Sequence, residues 1–166
     1  MKMKNKKRGF TLIELMLVMI IMGVLAAIGV TAFISSQVKG RDSARKGNLK
    51  AISQALELYY NDKGAYPVAS SGYIKACMSG GVAENCDGTD AQHKTMTDGT
   101  TIYMANMPKD PVASDRYYYV STNGKQFQLY AHLENTQDLQ LMTPAASGTS
   151  CGGACNYGVS SADTNP

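Results

Sequence analysis

Four cysteines, two histidines and one isolated carboxylate are the residues of this 166-residue chain whose chemistry bears most on function. The cysteines, Cys77, Cys86, Cys151 and Cys155, all follow a long apolar stretch. An even number behind a membrane-entry signal points to disulfides in an oxidising compartment. Three pairings can be drawn. The simplest joins near neighbours, Cys77 with Cys86 and Cys151 with Cys155, because each pair lies in a Gly- and Ser-rich stretch able to close a small loop. Cys151-Gly-Gly-Ala-Cys155 has three intervening residues and no nearby histidine, which argues against zinc. His93 and His132 lie far apart with no nucleophile pattern, so no catalytic residue is assigned and the chain is not expected to be an enzyme. Asp87-Gly88-Thr89-Asp90 has the flavour of a calcium loop without the EF-hand spacing. No metal ligand set is assigned; calcium is the one cofactor left open. No phosphate-binding loop occurs. The ten tyrosines are expected to pack the core and a hairpin rather than to form an adhesive or electron-carrying patch.

Glu14 raises a different question. From Leu15 to Ile34 there are twenty residues without a charge, with Thr31 the one polar side chain, and about twenty apolar residues span a hydrocarbon core. A carboxylate at the front of such a segment costs on the order of 2.5–3.5 kcal/mol at the bilayer centre and less at the interface. One account is local: Thr11-Leu12-Ile13-Glu14 fits a capping box, and an acid in a first turn meets the helix dipole favourably. Another needs a partner cation. Upstream lie Lys2, Lys4, Lys6, Lys7 and Arg8, which the positive-inside rule keeps cytoplasmic, leaving the rest of the chain on the far side. The net charge of +3 belongs to this leader. Without those five residues, 11 basic residues face 13 acidic ones, so charge gives no reason to expect direct nucleic-acid binding. A cleaved secretory signal and a plain single-span anchor are the alternatives for the apolar segment. The run is longer than a usual signal core.

The elements that position these residues are a long helix and a small head. No proline occurs before Pro67, so a helix can run from Phe10 to about Asp62, on the order of 80 Å at 1.5 Å per residue. Leu49, Ile52, Leu56 and Tyr59 recur at helical spacing and form one inward face, with Lys46, Lys50, Gln54 and Glu57 off it. Asn61-Asp62-Lys63-Gly64 reads as a stop. Residues 117–120 and 127–131 read as strands around the turn Thr122-Asn123-Gly124-Lys125. The alternation Phe127, Leu129, Ala131, Leu133 marks their buried side. The expected class is α+β: a long N-terminal helix, apolar in front and amphipathic behind, packed on a small antiparallel sheet. The expected organisation is a leader over 1–9, a membrane helix over 10–34, an amphipathic helix over 35–62 and a head over 63–166. Within that head, 68–101 reads as loop-rich and the polar C-terminal segment as an exposed loop or tail.

Residues 6–28, "KKRGFTLIELMLVMIIMGVLAAI", resemble the N-terminus of type IV pilins and of the pseudopilins of type II secretion. A Pro-x-Asp-Pro stretch before a hairpin, here Pro108 to Pro111, is similar to the head of the same family. The resemblance implies cleavage after Gly9 by a prepilin peptidase and N-methylation of Phe10. It also implies retention of the helix and an assembly role for Glu14, paired with the new amine of a neighbouring copy. By the same resemblance, the partners are further copies in a helical filament and an inner-membrane assembly platform with a cytoplasmic ATPase. The protein would sit as a single span in the inner membrane before joining a surface filament. A pilus subunit is the first expectation, a pseudopilin of secretion or DNA uptake the second, and a monomeric tethered binding protein the third. Gly23 matches a helix-weakening position of the family. Two departures stand out: Thr31 replaces the usual proline, and Asp110-Pro111-Val112-Ala113 replaces the Asp-Pro-Trp-Gly of major pseudopilins, which carry a calcium site.

Overall fold

The computed structural model describes residues 9–88, 94–142, 145–146 and 150–161. One helix, α1, runs from Leu12 to Lys63 without a break, through Gly23 and position 31 alike. It ends where the sequence places its stop: Gly64 takes φ 71° and its N–H donates to the Tyr60 carbonyl at 2.7 Å, a left-handed C-cap that favours glycine. The chain divides into two units, Met1–Val38 and Lys39–Pro166. In the first, the apolar side chains of α1 are exposed, and none of the residues in its 18-residue apolar window is buried within the chain. By length and composition, that segment can cross a membrane.

The second unit is the head. Leu49, Ile52, Ala55 and Leu56 of α1 are buried against three antiparallel sheets. The first sheet pairs β1 (Ala69–Ser70) with β2 (Tyr73–Ile74). The second has the order β4-β3-β5-β6, built from β3 (Cys77–Ser79), β4 (Val82–Glu84), β5 (Met96–Thr97) and β6 (Ile102–Met104). The third has the order β7-β8-β9, from β7 (Tyr118–Thr122), β8 (Gln126–Ala131) and β9 (Tyr157–Ser160). In the β7–β8 hairpin, Asn123 and Gly124 both take left-handed φ, and the Gly124 carbonyl accepts from Tyr66 N–H, tying the turn to the chain just past α1. Phe127, Leu129, Ala131 and Leu133 are all buried, as their alternation requires. Tyr66 and Tyr119 pack on Phe127, and Tyr59 on Tyr103, so these tyrosines are packing residues.

Within the loop-rich stretch 68–101 lie five short strands, β1 to β5. Each is two or three residues long, too short for an alternating pattern, and they bend back at Ser71-Gly72 and Gly80-Gly81, all four residues at positive φ. One expectation is corrected: the C-terminal segment is not an exposed loop or tail as far as Ser161. Tyr157–Ser160 pairs with β8, and Cys151, Cys155 and Ser161 are buried. One strand of four residues after a glycine-rich ring carries too little periodicity to be read as a sheet member.

Candidate functional site

At the front of α1, the capping box predicted for Thr11 and Glu14 is formed. Thr11 donates to Glu14 Oε2 from both its N–H and its hydroxyl, each at 2.8 Å, and Glu14 N–H donates back to Thr11 Oγ1 at 3.3 Å. Both bonds to the carboxylate fall on one oxygen. Glu14 is exposed, Phe10 is 90% exposed, and a side chain at Gly9 would meet nothing within 4 Å. The leader residues Lys2, Lys4, Lys6, Lys7 and Arg8 lie outside the described residues. A front end built this way presents a carboxylate held by Thr11 and an exposed apolar surface.

In the head, the dominant electrostatic feature is one the sequence reading missed. Arg45 is fully buried. Its Nε and Nη2 donate to Asp110 Oδ2 and Oδ1 at 2.8 and 2.9 Å. Its Nη1 donates to Asp42 Oδ1 at 2.8 Å and Glu134 Oε1 at 2.7 Å, and its Nη2 reaches Asp115 at 3.4 Å. Arg41 adds two bonds to Glu134, at 2.5 and 2.8 Å. Burial alone would make Arg45 less basic. The bonds from Asp110, Glu134 and Asp42 outweigh it and hold the guanidinium charged. The Arg41 bond is the main cause that pulls the Glu134 carboxyl down to about 2. A signal was present in the sequence: Arg45, Leu49, Ile52 and Leu56 are spaced 4, 3, 4, so Arg45 continues the apolar stripe. A charge in phase with a buried face must be paired.

The cage bears on calcium. Both oxygens of Asp110, in the Asp-Pro-Val-Ala variant, are occupied by the guanidinium. A cation ligated there would sit beside another cation, so the residues present do not fit a calcium site at Asp110. Asp87 and Gly88 are described, but Thr89, Asp90 and His93 lie outside the described residues. Among the described residues, no three His, Cys, Asp or Glu side chains converge as metal ligands.

Cys77 is joined to Cys86 and Cys151 to Cys155. The second bridge closes a five-residue ring seated between two segments of the cage. Gly152, at φ 96°, lies against Asp115, and Gly153 against the His132 ring. His132 Nδ1 is 2.8 Å from the Ala154 carbonyl. Asn156 completes the seat: its amide donates to Leu133 O and its Oδ1 accepts from Leu133 N–H. His132 is therefore a packing residue of this ring. Burial pushes the Tyr117 hydroxyl up to about 12, and it accepts from Asn48 at 2.8 Å.

The fold and this front end define a chain with a long apolar N-terminal helix and a small β head. Residues 4–30 match the family described as a prokaryotic N-terminal methylation motif. The chain is 31% identical over 128 residues to the type II secretion system core protein G of Pseudomonas aeruginosa, covering 77% of this chain and 84% of that protein. It is 30% identical over 125 residues to the core protein G of Vibrio cholerae, covering 75% and 78%. It is 46% identical over 61 residues to the type IV major pilin protein PilA of Myxococcus xanthus, covering 37% of this chain and 28% of that one. No solved structure is matched. The chain belongs to the type IV pilin and type II secretion pseudopilin family, and is a pilin-like subunit.

Proposed function

We propose that the chain is a structural subunit of a type IV pilus-like filament. It is made with a leader, cut after Gly9 by a prepilin peptidase, methylated on Phe10 and assembled from the inner membrane by a platform with a cytoplasmic ATPase. The observation that carries this reading is the front of α1: uncovered apolar surface whose one charge, Glu14, is capped through a single oxygen. Cleavage creates an amine on Phe10. In a low-dielectric helix bundle, an amine and a carboxylate attract strongly, and leaving either unpaired is costly. Each new subunit would then be drawn in to the depth at which its charge is met.

The test substitutes Glu14. Cells making Glu14→Ala are expected to process the precursor normally while losing sheared filaments by tenfold or more. Glu14→Gln, which retains capping but not charge, is expected to behave like Glu14→Ala. Normal filament yield in Glu14→Gln would show that Glu14 is only a cap.

A second reading has its own observation. The core protein G relatives align over about three-quarters of the chain, at 77% and 75%, whereas the major pilin aligns over 37% of it. This favours a short secretion pseudopilus. Filament length at native expression, with the secretion and motility of a deletion strain, separates the two.

A further inference from the structure

Five carboxylates of the head pair with three cations of α1, and each of their oxygens can be followed in turn. Both oxygens of Asp110 and Glu134, and one each of Asp42 and Asp115, accept from Arg45 or Arg41. The second oxygen of Asp42 accepts from Asn135 N–H at 2.8 Å, and that of Asp115 from Ser114 Oγ at 2.9 Å. Asp138 takes Lys46 Nζ at 2.7 Å on one oxygen and Gln140 N–H at 2.9 Å on the other. Every oxygen of the five therefore has a donor from the chain itself.

Lys46 does for the loop 134–140 what Arg45 does for the loop 107–117. Its ammonium donates to Asp138 and to Gln140 Oε1, at 2.7 and 2.8 Å, and lies 5.3 Å from the centre of the Tyr157 ring on β9. Gln137 N–H donates to Asn135 Oδ1 and Leu141 N–H to Asp138 O, which closes the loop on itself. An acidic loop folded around one cation is the arrangement that a divalent ion imposes, but here the cation is covalently part of α1. A bound calcium needs about six to eight oxygens at roughly 2.3–2.6 Å. To gather them here it would have to displace donors that cannot leave, because Arg41, Arg45 and Lys46 are tethered to the helix that builds the core. It would also stand among those cations, where like charges repel strongly in a covered site.

We infer that the head is organised by built-in cations and is independent of calcium, with Lys46 and Arg45 holding the loops 134–140 and 107–117 in place of a divalent ion. This goes beyond the filament reading and does not rest on it. A head of this kind keeps both loops ordered in calcium-free surroundings, where one that drew its stability from a bound metal would loosen.

The test is amide hydrogen exchange on the full chain in detergent, first in EGTA and then with calcium at about 1 mM, where weak extracellular sites fill. In the wild type, the Asn135 and Gln140 amides are expected to be equally protected in both, with one urea midpoint. Lys46→Met leaves the buried stripe of α1 untouched and is expected to lose about tenfold in protection at Gln140 in EGTA. Calcium is expected to restore none of that loss, since Asp138 and Gln140 alone supply too few oxygens. Protection or a midpoint that rises with calcium in the wild type overturns the inference. So does recovery of the Lys46→Met loop in calcium, and so does equal protection of Gln140 in Lys46→Met and wild type.

Discussion

A guanidinium with no exposed surface needs its charge met where it stands, and in the head Asp42, Asp110, Asp115 and Glu134 meet it together. The Asp42 and Asp110 carboxylates are themselves almost wholly covered, at 4% and 0% exposed. Removing the cation strands them. Arg45→Met, similar in length and without charge, is therefore expected to lose about 3–5 kcal/mol of stability, read as a lowered urea midpoint. Arg45→Lys should recover only part of it, because an ammonium cannot fork onto both oxygens of Asp110. A midpoint for Arg45→Met equal to that of the wild type would mean the cage adds nothing net. The same residue shows where single positions are legible. Glu14 was readable because its partner, Thr11, is three residues away; the Arg45 partners are as many as 89 residues distant, and sequence spacing says nothing about such pairs.

At the scale of elements, the helix and the β7–β8 hairpin were legible because each repeats its period several times and ends in residues with a fixed backbone preference, Gly64 and Asn123-Gly124. The short strands β1 to β5 were not, since two or three residues acquire strand geometry from the neighbours they pair with rather than from their own pattern. The cysteine ring was half legible. Its closure followed from spacing, but its seat did not. Gly152 takes a φ of 96°, and a Cβ there would lie 2.7 Å from Asp115 Cα. Gly152→Ala combines backbone strain with a clash against backbone, and is expected to destabilise by about 1–3 kcal/mol. Hydrogen exchange should show faster opening at Leu133 and Asn156, which the ring holds together. Unchanged protection at those amides would mean the ring does not anchor β9.

At the scale of the whole molecule, the acid side of the pH profile follows from the carboxylates. Glu134 titrates near 2 rather than at its ordinary 4.5, and Asp138 and Asp98 are also pulled down by Lys46 and Lys63. Depressed carboxylates bind fewer protons in the folded than in the unfolded chain, so their stabilisation is present above the ordinary value and is lost as pH falls towards the folded one. The urea midpoint is expected to hold above a pH of about 5 and to decline between about 4.5 and 2, with a shallower decline in Glu134→Gln. A flat profile across that interval would contradict the assignment.

The buried cage has one more consequence, and it is mechanical. An apolar stripe such as Leu49, Ile52 and Leu56 resists separation but offers little against sliding, since one methyl contact resembles the next. A guanidinium forked on Asp110 at 2.8 and 2.9 Å is different: a shift of about 1 Å along the axis breaks both bonds at once. Arg45 therefore adds a position-specific restraint on the register of α1 within the head that the apolar stripe alone does not supply.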